Sequence, residues 1–148
     1  MTPVLQTITD GGIGNCMAAC IASLLELPIS EVPNFVAAET DDVGSCWLRL
    51  ANDWLASRGF ALAMIREQPE WLADGVPFIV SCESPRSTPH KPKRHAVIVV
   101  LNGWEMVVVH DPYPGQEQNG QQLESVYFSY LLVPRRAELA TARVEGGS

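Results

Sequence analysis

The 148-residue chain has no apolar run approaching the roughly eighteen residues that a membrane span requires. Its opening residues, Met1-Thr2-Pro3-Val4-Leu5-Gln6, lack the basic region and apolar core of a secretory signal. The expected location is therefore the cytoplasm, with no membrane partner. Cysteine is sparse, at 16, 20, 46 and 82, and no two form a C-x-x-C pair. That spacing argues against a dithiol redox motif or a zinc ribbon, and a cytosolic setting keeps such thiols reduced. Basic charge is also scarce, with 10 Lys and Arg against 17 Asp and Glu, for a net charge of −7. A phosphate backbone needs a basic face, so nucleic acid is not an expected partner. The one basic cluster, Lys91, Lys93 and Arg94, reads as a solvated loop.

What is present is a globular balance of 47% hydrophobic and 18% charged residues, without repeats or an internal linker. The expectation is a single domain over 1–134 and a fraying tail over 135–148. Asn15 is a suitable N-cap for a first helix, and Pro28 ends it. Met17, Cys20, Ile21, Leu24 and Leu25 form its apolar stripe. A short helical turn capped by Ser30 precedes Pro33, and 40–44 is a polar connection. A second helix fits 45–58, with Gly59 as its C′ residue and Trp47 and Trp54 on the core side. Strands follow at 60–65, 76–82, 95–101, 105–110 and 126–133, with a helical turn at 69–72. Pro77 marks the start of a strand or an edge. The 84–94 loop holds three prolines and is the expected mobile segment. The Val/Ile content of 95–101 and 105–110 predicts a hairpin buried on both faces. Helices first and antiparallel strands afterwards make an α+β fold.

Cys16 stands where the turn Gly11-Gly12-Ile13-Gly14-Asn15 enters the first helix. Unpaired N–H groups and the helix dipole favour a thiolate there, and the thiolate is the nucleophile. Such a nucleophile needs a base and a group to orient that base. Of three histidines, His90 lies in the proline-rich loop, His95 begins a strand and His110 ends the next, before Asp111-Pro112. If the hairpin turn is Asn102-Gly103, His95 faces His110. If Trp104 joins the loop, His95 faces Asp111, close enough to hold the imidazole. In that second register Cys16, His95 and Asp111 are nucleophile, base and orienter. Cys20, Cys46 and Cys82 read as small core residues. A metal site from Cys16, Cys20, His95 and Asp111 lacks a ligand pair of familiar spacing.

The order of a helix-borne cysteine followed by His and Asp on later strands resembles the papain-like cysteine peptidases. Gly14-Asn15-Cys16-Met17-Ala18-Ala19-Cys20 is similar to the nucleophile helix of small bacterial and phage members, including the bacteriocin-leader peptidase group. Arg94-His95-Ala96-Val97-Ile98-Val99 and His110-Asp111-Pro112 resemble that group's His and Asp blocks. The resemblance implies N-terminal helices packed on an antiparallel sheet. It also implies a thiol hydrolase acting on an amide or isopeptide bond of a peptide or protein substrate, with no metal or organic cofactor. It further implies an oxyanion-binding glutamine upstream of the cysteine. Gln6 matches in type but lies ten residues before Cys16, about twice the usual spacing, where Asp10 stands nearer. The glycines at 11, 12 and 14 could form the longer turn this needs. The same triad serves deamidation or acyl transfer, and a non-catalytic binding module is the expectation from another class.

Overall fold

A strand made almost wholly of Val, Ile, Leu and Ala must be covered on both sides, and this one forms the middle of the sheet. In the computed structural model, which describes residues 1–9, 13–42, 46–115 and 118–135, β3 (Arg94–Asn102) is buried over nearly all its length. Its companions are β1 (Phe60–Ile65), β2 (Phe78–Glu83), β4 (Glu105–His110), β5 (Gln122–Leu123) and β6 (Phe128–Pro134). They form one sheet in the order β1-β6-β2-β3-β4-β5, and every neighbouring pair is antiparallel. Three helices precede the sheet: α1 (Cys16–Leu25), α2 (Phe35–Ala38) and α3 (Trp47–Ala56). The architecture is α+β. The glycines at 11 and 12, the expected helix start at Ser45 and the tail from 136 lie outside the described residues.

α1 is buried from Met17 through Ser23. Ala18, Ala19, Cys20 and Ala22 are small, so the helix backbone can approach the sheet, while Ile21 fills the space between. Ala96 and Ile98 of β3 and Ile79 of β2 belong to the same core cluster. The helix ends as its sequence requires, before Pro28. Glu26 takes a left-handed conformation (φ 57°), and the Leu27 N–H returns to the Ala22 carbonyl at 2.9 Å. Asn15 holds the N-cap position, but its side chain does not cap α1; it is committed elsewhere, as described below.

α3 begins at Trp47. The cap comes from Glu39, whose carboxylate accepts the Trp47 N–H at 2.8 Å, a carboxylate at a helix start being favourable. Cys46 is exposed at the N-cap position rather than in the core, whereas Cys20 and Cys82 are buried as expected. Ala51 and Leu55 face inward. Asn52 docks α3 onto β1 by exchanging two hydrogen bonds with the Leu62 backbone, at 2.6 and 3.1 Å. Trp54 packs on Phe35 and Trp47 on Tyr130, with ring centroids 5.7 and 5.3 Å apart.

The opposite face of the sheet carries a second cluster, including Phe78, Val80, Val97, Val99, Leu101 and Val108, covered by Leu72 and Val126 from the connections. Burial on both faces holds for β3 but not for β4, which alternates. Pro77 marks the start of β2, which is an interior strand between β6 and β3. The 84–94 connection is not a bare loop. Ser84 N–H reaches the Lys93 carbonyl at 2.8 Å, and Thr88 and Lys91 exchange backbone bonds at 3.1 and 3.0 Å. These bonds extend the β2–β3 hairpin beyond the sheet.

Neither predicted register of the β3–β4 hairpin occurs. The turn is Gly103-Trp104, with Gly103 at φ 64° and Asn102 opposite Glu105. Pairing runs regularly to Val99 opposite Val108, then slips so that His110 stands opposite Ile98. Val109 is the extra residue of a β-bulge. Because side chains alternate between faces, a one-residue slip moves everything beyond it to the other face. An unslipped ladder would place Asp111 opposite Ala96, on the face away from His95. The bulge places Asp111 on the face of Val97 and His95.

Candidate active site

The bulge has a direct geometric consequence. His95 Nε2 donates to Asp111 Oδ1 at 2.7 Å, with both side chains buried. Oδ1 also accepts the Tyr113 N–H at 2.9 Å. The Asp111 N–H is fixed by Asn119 Oδ1 at 2.6 Å. Asp111 Oδ2 is buried with no partner among the described residues. With Nε2 committed to Asp111, the other ring nitrogen is left for Cys16, which borders the same two depressions as His95 and is electrostatically coupled to it. Cys16, at the first turn of α1, is partly exposed, while the rest of its helix face is buried.

The electrostatics follow from that chain of contacts. Burial pushes the Cys16 thiol up. The hydrogen bond and positive charge of His95, with the backbone N–H groups of Ala96 and Met17, outweigh it and hold the pKa below its ordinary value. Burial alone would lower His95. The Asp111 hydrogen bond, then the Cys16 hydrogen bond and the two negative charges, raise it instead. Each group favours the charged form of the other, which brings the two pKa values toward each other. Cys20 and Cys82 behave oppositely. Burial, reinforced by the nearby acids, raises Cys20 well above the ordinary range and Cys82 to about 11.

Gln6 reaches the same place through the N-terminal segment. Residues 1–9 form no strand, yet they are tied down along their length. Val4 N–H bonds Ser23 Oγ at 2.9 Å, and His110 Nε2 donates to the Val4 carbonyl at 2.7 Å. Gln6 N–H bonds the Pro112 carbonyl at 2.8 Å. Asn15 Oδ1 accepts the N–H groups of Thr7 and Ile8 at 3.0 and 2.9 Å, and its Nδ2 donates to Thr7 Oγ1. Asn15 thus clamps the chain that carries Gln6, and His110 anchors that chain through Val4. Gln6 is buried (5% exposed). Its Nε2 donates to the Ile8 carbonyl at 2.9 Å, which leaves one N–H of the amide. Gly14 permits this approach, since a Cβ there would stand 3.1 Å from the Ile8 oxygen and 3.3 Å from Gln6 Nε2.

Cys16 and His95 lie between two depressions. One, of about 340 Å³, is bordered by Gln6, Ser84, Arg86, Lys93 and Tyr113. The other, of about 150 Å³, is bordered by Met17, Trp47, Ser81 and Tyr130. Lys93 and Arg94 therefore border a cleft and are not merely part of a solvated loop. Arg86, Tyr113 and Asn119 had no pattern in the sequence to single them out; each lies in a connection with neither helical nor strand periodicity. Among the described residues no group of three or more His, Cys, Asp or Glu side chains is arranged to hold a metal ion. Among the same residues no single helix is long and apolar enough to cross a membrane.

Comparison with known proteins finds no matching family model, no matching curated protein and no matching solved structure.

Proposed function

We propose that the chain is a papain-like cysteine hydrolase that cleaves an amide, isopeptide or related acyl bond. The observation that carries this reading is the buried His95–Asp111 hydrogen bond beside Cys16, which lines the same depressions as His95; the lowered cysteine pKa supports it. The Cys16 thiolate attacks the substrate carbonyl and the carbon–sulfur bond forms. The resulting oxyanion takes hydrogen bonds from the remaining Gln6 N–H and from backbone N–H groups at the start of α1. The His95 imidazolium protonates the leaving amine as the carbon–nitrogen bond breaks, leaving an acyl-thioester. Neutral His95 then takes a proton from water, which attacks the thioester, releasing the carboxylic acid and restoring the thiolate–imidazolium pair. Asp111 keeps the ring oriented throughout. The site lies in the cytoplasm in this reading, and its substrate is a peptide or protein.

Alkylation by iodoacetamide tests the pairing without a known substrate. Cys16 is expected to keep far more of its pH 8 rate at pH 6 than an ordinary thiol, which at a pKa of about 8.5 slows roughly a hundredfold over that range. His95→Ala removes its polar contact and its charge, leaves only the backbone N–H groups of Ala96 and Met17 to oppose burial, and abolishes the reactivity at pH 6. Uniformly slow labelling of all four cysteines at pH 6 would overturn the hydrolase reading and favour a binding module.

Gly14→Ala tests the oxyanion role. The added methyl displaces Gln6 from Ile8, so turnover should fall by about tenfold, part of the ~10²–10³ cost of losing an oxyanion donor. Iodoacetamide alkylation, which forms no oxyanion, should be unchanged.

A further inference from the structure

Basic side chains are a minority in this chain, 10 against 17 acidic ones. Three of them, Arg86, Lys93 and Arg94, nevertheless border the larger depression beside Cys16, and among the described residues no Asp or Glu does. None of the three is in an ion pair, the ion pairs among the described residues being Met1–Glu26 and His95–Asp111. Arg86 is the most committed. Its guanidinium carbon lies 3.5 Å from the centre of the Tyr113 ring, and that ring stands edge-on to His95 with centroids 6.5 Å apart. The guanidinium is therefore within about 10 Å of the imidazole centre. Arg86 Nη1 is buried without a hydrogen-bond partner among the described residues. A buried donor on a charged group costs free energy until an acceptor arrives. Stacking on Tyr113 fixes the plane of the guanidinium and leaves its edge for a planar, bidentate acceptor.

We propose that Arg86, supported by Lys93 and Arg94, is a specificity determinant that binds a carboxylate on the substrate. The carboxylate is either a side chain or the chain terminus, and it lies within about three residues of the bond that Cys16 attacks, given ~3.4 Å per extended residue. This inference rests on the hydrolase reading and adds the substrate class to it.

Two alkylating reagents separate the claims. Iodoacetamide and iodoacetate react alike: the thiolate displaces iodide from the CH₂ carbon and a thioether forms. They differ in that iodoacetate carries the carboxylate. The ratio of their rates at Cys16, followed by mass spectrometry of the Cys16 peptide at pH 6, cancels the thiolate fraction. The ratio is expected to exceed that of free cysteine and to fall in 1 M salt, where the screening length drops to about 3 Å. Arg86→Gln should lower it roughly tenfold, the size of one unit charge acting across about 10 Å at an effective dielectric near 20. Arg86→Lys should keep most of it. Lys93→Gln, at an exposed side chain, should lower it by a smaller factor and provides the test if Arg86→Gln does not fold. If both reagents label Cys16 rapidly but the ratio equals that of free cysteine, or survives Arg86→Gln or Lys93→Gln unchanged, the carboxylate site is wrong while the hydrolase reading stands. If neither reagent labels Cys16 at pH 6, the hydrolase reading fails and the carboxylate proposal falls with it.

Discussion

Cys16→Ala removes turnover and leaves the protein folded. The expected loss is on the order of 10⁴-fold or more, because the acyl-thioester cannot form without the sulfur and no other described cysteine can replace it. Cys20 and Cys82 are buried and their thiols are raised by that burial. Cys46 is exposed at the start of α3 and belongs to neither depression. Stability should change by less than about 1 kcal/mol, since the packed face of α1 runs from Met17 to Ser23 and Cys16 itself is only partly buried. Turnover of a peptide selected from a library, with circular dichroism as the fold control, checks both halves. Retained turnover would refute the mechanism. In the unaltered protein the activity should be bell-shaped in pH. It rises as Cys16 loses its proton, at a pH below that of an ordinary thiol. It falls as His95 loses its proton, at a pH above the ordinary 6.5.

The second large effect is expected at Asp111, by two routes that should agree. Asp111→Asn keeps the volume of a fully buried side chain but removes the charge that faces His95 at 2.7 Å. The histidine pKa then drops. Cys16, held low chiefly by His95, rises in turn, so the acid limb of the pH profile moves upward. Turnover should fall by ~10²–10⁴, the scale expected when a buried orienting carboxylate loses its charge. Deleting Val109 changes no member of the Cys16–His95–Asp111 chain, yet it should give a loss of the same size. Without the bulge, alternation turns Asp111 to the far face of the sheet. Comparing the two pH profiles decides the matter. An unshifted profile after the deletion would show that the bulge does not place Asp111.

Much of the scaffold was legible because periodicity is local. The stripe of Met17, Cys20, Ile21, Leu24 and Leu25 predicts α1, and the helix runs from Cys16 to Leu25. The strands β1, β2, β3, β4 and β6 lie within a few residues of the predicted runs. The four-residue α2 and two-residue β5 are too short to carry a period, and both were missed. Other features were misread because their partners are distant in the chain. Asn15 is read as a cap by type, but its side chain serves Thr7 and Ile8. The cap of α3 is Glu39, eight residues before the helix.

The candidate site divides along the same line. Sequence alone determined which side chains could carry the chemistry. A cysteine at a helix start, few histidines and a strand-end aspartate leave little choice, because those properties depend on residue type and local conformation. Tertiary structure alone decided that they meet. Whether Asp111 faces His95 depends on one extra residue in β4, and Val107-Val108-Val109 are chemically identical, so no pattern marks which of them is the bulge. Only the pairing of β4 with β3, Val99 opposite Val108 and then Ile98 opposite His110, makes the choice.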